Sequence, residues 1–329
     1  AFNANITDGK AVFLIGDQIA TGQQNVTVTY NGDKNYYSVS QNVTITIDKI
    51  KTSMVIDNVT VHVGEPIVVI ANTTGFKNNT SVIVFVSNNF IGTYLKNVTI
   101  IDNQFLLFNK TENDAGVIYY TITFGGNDVY EPCQAKFTQT VLKNETSIST
   151  GNVEGFVDEG NITVIVNTTG FANNTDITVG FGLVGSNVTI ERKVTLINDT
   201  FKLFYNPTIL GAGTFNFLIE FNGNGAYEPC NTTFIATINK HPTSMSMNNV
   251  TFIFDEIPVI AIINTTGFAN NTVINITISD SEENTTAEAS VIDGKIILER
   301  KTLTPVGVYN YTVSFAGNDL YLPCEVNFT

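Results

Sequence analysis

One seven-residue phrase recurs four times along this chain. Its copies are Tyr30-Asn-Gly-Asp-Lys-Asn-Tyr36, Phe124-Gly-Gly-Asn-Asp-Val-Tyr130, Phe221-Asn-Gly-Asn-Gly-Ala-Tyr227 and Phe315-Ala-Gly-Asn-Asp-Leu-Tyr321. They stand about 95 residues apart, a spacing that suits one small domain. A second phrase keeps the same period, as Asn72-Thr-Thr-Gly-Phe76, Asn167-Thr-Thr-Gly-Phe171 and Asn264-Thr-Thr-Gly-Phe268. Two unrelated landmarks in step define a tandem array of one module and exclude a single large enzyme fold.

The copy over residues 49–142 shows the module most fully. Met54-Val-Ile56 reads as an opening strand, and the Val63-Gly-Glu-Pro66 turn leads into the buried strand Ile67-Val-Val-Ile70. Residues Asn72 to Thr80 are predicted to be a loop, since Gly75 and the asparagines tolerate left-handed backbone angles. Val82–Val86 is a further strand. Asn97–Ile101 and Gln104–Phe108, separated by Asp102-Asn103, read as a hairpin; Asp8-Gly9, Asn198-Asp199 and Asp293-Gly294 occupy the same turn in other copies. Tyr119–Phe124 alternates strictly, and a seventh strand starts near Cys133. Before the sixth strand stand Ala115-Gly116-Val-Ile-Tyr119, Ala212-Gly213-Thr-Phe215 and Val306-Gly307-Val-Tyr309. A glycine followed by an aromatic at this corner resembles a tyrosine corner, although Phe215 has no hydroxyl to bond back.

Seven short strands with closely spaced turns and no helical period predict an all-β chain of immunoglobulin-like antiparallel β-sandwich modules. The expected boundaries are a partial module of C-terminal strands at 1–48 and modules at 49–142, 143–239 and 240–329, the last with a truncated final strand. On this reading the sequence is a section of a longer protein. The linkers Asp48–Lys51, Leu142–Glu145 and Asn239–Thr243 are short and not Gly/Ser-rich. They favour an extended rod growing by about 30–40 Å per module.

Composition narrows the partners. A net charge of −14, with no Lys or Arg run, repels polyphosphate and argues against nucleic acid. No apolar stretch reaches the roughly 18 residues of a membrane helix, so this segment is not expected to insert into a membrane.

Asn and Thr dominate the polar positions and make about two dozen Asn-x-Ser/Thr sequons, roughly three times the chance number. The N-glycosylation candidates are Asn5, Asn25, Asn42, Asn58, Asn72, Asn78, Asn97, Asn109, Asn144, Asn161, Asn167, Asn173, Asn187, Asn198, Asn231, Asn249, Asn264, Asn270, Asn284 and Asn327. Two readings stand: glycosylation of a secreted chain, with Asn72, Asn167 and Asn264 on polar loops, or plain alternation along strands in which Thr is a good β-former. Asn275 and Asn310 are predicted to lie inside strands, where occupancy is disfavoured.

Cys133, Cys230 and Cys324 each follow the repeated Tyr by three residues, in Tyr-x-Pro-Cys. With one thiol per module none can pair at home, and rod spacing far exceeds the roughly 7 Å limit between bridged α-carbons. Val39 holds this place in the first repeat. Each thiol is therefore either a small buried hydrophobe or a partner in an interchain disulfide.

Catalysis finds no support. His62 and His241 sit in different modules, and no nucleophile, P-loop or Cys-x-x-Cys motif occurs. No cofactor is expected. Calcium is the one metal to weigh: Asp33, Asp128 and Asp319 fall in the repeated loop, while Glu65, Asp158-Glu159 and Asp255-Glu256 fall at the turn before the second strand. Gly225 interrupts the series, and solvated turn residues are the competing account.

Val63-Gly-Glu-Pro66, the Gly–aromatic corner and the Tyr30–Tyr36 loop together resemble the bacterial-Ig-like repeats of large adhesin-like surface proteins, most of all those of methanogenic archaea. The resemblance spans essentially the whole chain and departs from the family at the cysteine after Pro. It implies a secreted, extracellular cell-surface protein acting in attachment or envelope building, with other copies of itself or other surface proteins and glycans as partners. An adhesin stalk is the expected role. A self-assembling filament or sheath with interchain disulfides is the alternative. A carbohydrate-binding array is a third reading, weakened by the absence of Trp.

Overall fold

The computed structural model describes residues 2–14, 20–186, 188–253, 259–280, 282–300 and 305–329. Asn187, Asp255 and Glu256, singled out above, lie outside the described residues. By internal contacts the chain forms two compact units, Ala1–Asn144 with Asn224–Glu228, and Glu145–Gly223 with Pro229–Thr329. Apart from one short 3-10 turn at Pro207–Ile209, every regular element among the described residues is a strand.

In the first unit, Gly22–Tyr30 pairs antiparallel with Val39–Ile47 as a separate two-stranded sheet. The sandwich that follows has a three-stranded sheet, with Ile67–Thr74 between Ser53–Ile56 and Gln104–Lys110. Its five-stranded partner runs Val59–His62, Cys133–Leu142, Gly116–Phe124, Thr80–Asn88, Gly92–Ile100, with the first two parallel and the rest antiparallel. This Greek-key order is that of an immunoglobulin-like sandwich. The second unit holds two further sandwiches, with Ile162–Thr169 and then Val259–Thr266 at the centre of each three-stranded sheet. The first of them repeats the five-strand order, and the other shows four strands among the described residues, Asn284–Val291, Thr272–Ser279, Tyr311–Phe315 and Cys324–Phe328, all antiparallel.

Strict period-two burial makes the cores. Along Ile67–Thr74 the residues Ile67, Val69, Ala71 and Thr73 are buried and their neighbours exposed. Val82, Val84 and Val86 face them from the other sheet, joined by Ile122, Phe124 and Phe137. Burying side chains of this size stabilises by about 1.5–3 kcal/mol each. Among the described residues the hairpin at Gly22–Tyr30 has no such facing sheet, and Val28, Val39 and Val43 on it are exposed.

Several sequence expectations are revised. Asn72, predicted in a loop, belongs to the central strand Ile67–Thr74, as Asn167 and Asn264 belong to theirs. The alternation that buries Thr73 continues through the motif before Gly75 stops it. Asn310 precedes the strand Tyr311–Phe315, whereas Asn275 lies within Thr272–Ser279. The expected hairpin around Asp102-Asn103 is a sheet switch instead. Its two arms join through the single bridge Ile101–Gln104, then diverge to pair in opposite sheets. Asp102 and Asn103 both have positive φ (51° and 63°), the type I′ geometry that a two-residue turn needs. The switch lets Val98 and Ile100 cover one side of the core while Phe105 and Leu107 cover the other.

The tyrosine corner forms in one module. Tyr309 donates its hydroxyl to the Pro305 carbonyl at 3.0 Å, and its ring lies on Gly307. Phe215 packs on Gly213 in the same way without the hydrogen bond. Tyr119 does not join them, because an extra residue separates it from Gly116 and turns it outward; Ile118 packs inward in its place.

Gln139 is fully buried, and neither its Oε1 nor its Nε2 meets a hydrogen-bond partner among the described residues. The matching strand position of the next sandwich is Ala236. A buried unsatisfied amide costs about 1–3 kcal/mol, so Gln139→Leu should raise the unfolding free energy of that sandwich by a similar amount. Chemical denaturation of the variant checks this, and a destabilised variant would show that the amide is satisfied in solution.

Candidate functional site

The two recurring phrases meet in space, and they meet on the linker. In Asn127 of the second copy, Oδ1 accepts the amides of Val129 (2.9 Å) and Tyr130 (2.8 Å), closing a tight Asx turn. Asn224 does the same for Ala226 and Tyr227, and Asn318 for Leu320 and Tyr321. The turn presents its backbone to the preceding linker. Ile50 N–H donates to the Val129 carbonyl and Glu131 N–H donates to the Ile50 carbonyl, both at 2.9 Å. Asn144 makes this pair of bonds with Ala226 and Glu228, and His241 with Leu320 and Leu322.

The second phrase holds the linker from its other side. Gly75 has φ +84°, and a Cβ there would lie 2.0 Å from the Lys51 carbonyl oxygen. Gly170 stands in the same relation to Glu145, and Gly267 to Pro242, each at 1.9 Å. Only glycine combines that dihedral with that approach. The phenylalanine after it then enters the core. Phe76 meets Phe124 edge-on at 5.4 Å and Tyr130 at 5.0 Å, and Phe268 repeats this with Phe315 and Tyr321 at the same distances. Phe171 meets Phe221 at 5.4 Å. The Tyr130 hydroxyl accepts the Lys77 amide at 3.3 Å and Tyr321 accepts that of Ala269 at 3.1 Å. Tyr36 lacks such a phenylalanine and is 69% exposed, against 5% for Tyr130.

The cysteines sit at the start of the strand beneath this linker. All three are half-buried and none is bridged to another within this chain, with Cys133 and Cys324 packed against their module cores. Thr146 donates its hydroxyl to Cys230 Sγ at 3.4 Å. Burial pushes the Cys324 thiol above its ordinary pKa, opposed by a hydrogen bond with Thr243. A raised pKa leaves less thiolate for disulfide exchange.

The calcium candidates occupy unlike places. Asp33 stands where the other copies have Asn127, Asn224 and Asn318, whereas Asp128 and Asp319 fall one residue later, opposite Lys34. Asp33 Oδ1 accepts the Asn35 and Tyr36 amides and its Oδ2 accepts the Tyr30 hydroxyl at 2.7 Å. Glu65 and Glu159 close their own turns, accepting the His62 amide at 2.7 Å and the Phe156 amide at 2.9 Å. Asp158 Oδ1 meets His241 Nε2 at 2.7 Å, and that imidazole stacks on Phe156 with centroids 4.4 Å apart. Among the described residues no group of three or more metal-binding side chains gathers. Gly225, which breaks the acidic series, has a local cause: a Cβ there would meet Asp114 Oδ1 at 1.9 Å, and Ala115 donates its amide to the Gly225 carbonyl.

Among solved structures, the tetra-tandem repeat in the extending region of a large adhesion protein is 15% identical, over 98% of this chain and 86% of that one, with a TM-score of 0.37. An I-band fragment of titin is 12% identical over 84% and 95%, with a TM-score of 0.33. A second titin tandem is 13% identical over 86% and 97%, at 0.29. No protein-family model and no curated protein matches the chain. Identity this low and superposition this loose transfer no function, and the immunoglobulin-like assignment stands on strand order.

Two outcomes test the site. Gly75→Ala forces a Cβ into the Lys51 carbonyl at a left-handed dihedral, so it should cost about 2 kcal/mol or more, lowering the thermal midpoint by roughly 10 °C. Calorimetry measures it, with Gly64→Ala, also at positive φ but facing open space, as the milder control. The second concerns acid. The Tyr30 hydroxyl, and after it the Asn35 and Tyr36 amides, hold the Asp33 carboxyl below its ordinary pKa. A depressed folded pKa adds stability above the unfolded value and loses it as pH falls through the folded one. Hydrogen-exchange protection of Tyr36 should therefore fall below about pH 4 and become pH-independent in Asp33→Asn.

Proposed function

We propose that this chain is part of the stalk of a secreted cell-surface protein, a tandem of passive sandwich modules that carries a binding region away from the cell. The observation that carries this reading is the treatment of the linkers. Each is hydrogen-bonded on both sides of one residue and clamped against a glycine of the module it enters. Only Asp48 and Lys49 separate the strand Val39–Ile47 from the first clamped residue, only Lys143 follows Leu142, and only Lys240 follows Asn239. No free tether remains, which suits a part whose work is to hold distance rather than to search. The acidic surface and the wealth of sequons agree with an extracellular setting. Partners would be other surface proteins, glycans or further copies of the chain.

Surface labelling of intact native cells and single-molecule stretching of the purified chain test this together. The expected result is labelled protein and a sawtooth with steps of about 300 Å, the contour length of one module. Protein protected inside intact cells, or a chain that extends at low force without steps, would overturn the stalk. A non-reducing gel after alkylation separates the filament alternative, which requires multimers that collapse on reduction.

A further inference from the structure

The structure sorts the sequons by what their side-chain amides already do. Asn58 Oδ1 accepts the Thr138 amide at 2.7 Å and Asn249 Oδ1 accepts that of Thr329 at 3.0 Å, each tying together segments 80 residues apart. Asn78 and Asn270 close turns, accepting the amides of Asp102 and Asp293 at 2.9 and 2.8 Å. Asn144 donates its Nδ2 to the Val63 carbonyl. These asparagines serve the fold.

Asn72, Asn167 and Asn264 differ in all three modules in the same way. Each lies on the central strand of the three-stranded sheet and points out of the sandwich, between two buried residues. Asn72 accepts from Gln104 Nε2 through its Oδ1, which leaves its own Nδ2 outward. Two residues back on the same face stand exposed Ile70, Ile165 and Ile262. Leu106 lies opposite Ile70 and Ile297 opposite Ile262, and Phe204 extends the strip in the middle module; all three are exposed. A three-stranded sheet with an aliphatic outer face and open edges invites association with other chains. A polar polymer fixed at its centre removes that hazard.

We propose that Asn72, Asn167 and Asn264 each carry an N-linked glycan that lies over the aliphatic strip of its own sheet. The Asn Nδ2 forms a bond to the anomeric carbon of a lipid-linked oligosaccharide donor, the bond from that carbon to the donor's phosphate oxygen breaks, and the phosphate leaves with the amide proton. The acceptor threonines add a timing. Thr74, Thr169 and Thr266 each share a 2.7 Å hydrogen bond with a serine of the opening strand, Ser53, Ser147 and Ser244. Transfer therefore precedes docking of that strand, while the hydroxyl and the extended acceptor are free.

The proposal rests on the reading of an exported protein, and the experiment separates the two. Glycopeptide mass spectrometry on protein from its native cells should find all three asparagines occupied. Thr74→Val, Thr169→Val and Thr266→Val, made in those cells, should each remove one glycan mass and raise apolar-dye binding and the aggregated fraction severalfold. Ser53→Ala, Ser147→Ala and Ser244→Ala lose the same hydrogen bonds, keep the sequons, and should retain both glycan and solubility. Bare peptides at these three sites in a protein glycosylated elsewhere would overturn the proposal and leave the stalk intact. Valine variants as soluble as the parent would overturn the shielding role. Protein absent from the cell surface would instead remove the stalk reading itself.

Discussion

A backbone carbonyl resting on a bare α-carbon organises each module of this protein. Where Lys51, Glu145 or Pro242 passes, Gly75, Gly170 or Gly267 offers no side chain, and the chain entering the module lies flat against it. The Asx turn at Asn127, Asn224 or Asn318 then grips the same linker with two backbone hydrogen bonds. A phenylalanine placed directly after the glycine joins these contacts to the core. Remove the close approach and both the Phe76–Tyr130 packing and the Ile50 bridge lose their geometry. A linker held on both sides cannot act as a slack hinge, which is what the proposed stalk role requires.

The rest of each sandwich is ordinary period-two burial around that collar. Its polar exceptions are informative. Gln139 and the hydroxyls of Thr168 and Thr265 are buried without partners among the described residues, in positions where the strand pattern alone directs them inward. Thr73, the counterpart in the first full module, finds the Asn103 carbonyl. Repeats of one design thus differ in how well each copy satisfies its interior. The outward residues of the same central strand carry the sequon and the aliphatic strip, so one strand serves core and surface on alternate residues.

Much of the fold was legible from the chain. The apolar run Val82–Val86 and the alternation at Tyr119–Phe124, together with the period of two phrases, are enough for an all-β tandem. The errors share one cause. Local pattern names a strand or a turn but not its partner, so Asp102-Asn103 reads as a hairpin although its arms belong to opposite sheets. Asn72 reads as loop because asparagine and glycine follow it, while the ladder to Gln104 keeps it in the sheet. Asp33 groups with Asp128 and Asp319 by its carboxylate, yet its place in the phrase and its hydrogen bonds put it with Asn127.

The sequence by itself determined that the chain repeats, that each repeat is a β-sandwich, and that glycine and asparagine stand at fixed places within it. Those facts are local, set by side-chain period and by which residues tolerate positive φ. Only the tertiary structure decided that the two phrases converge on one linker, that the cysteines lie half-buried beneath it, and which asparagines face outward from a central strand. Convergence of segments about 50 residues apart is written in strand pairing and closure of the sandwich, and no window of adjacent residues contains it.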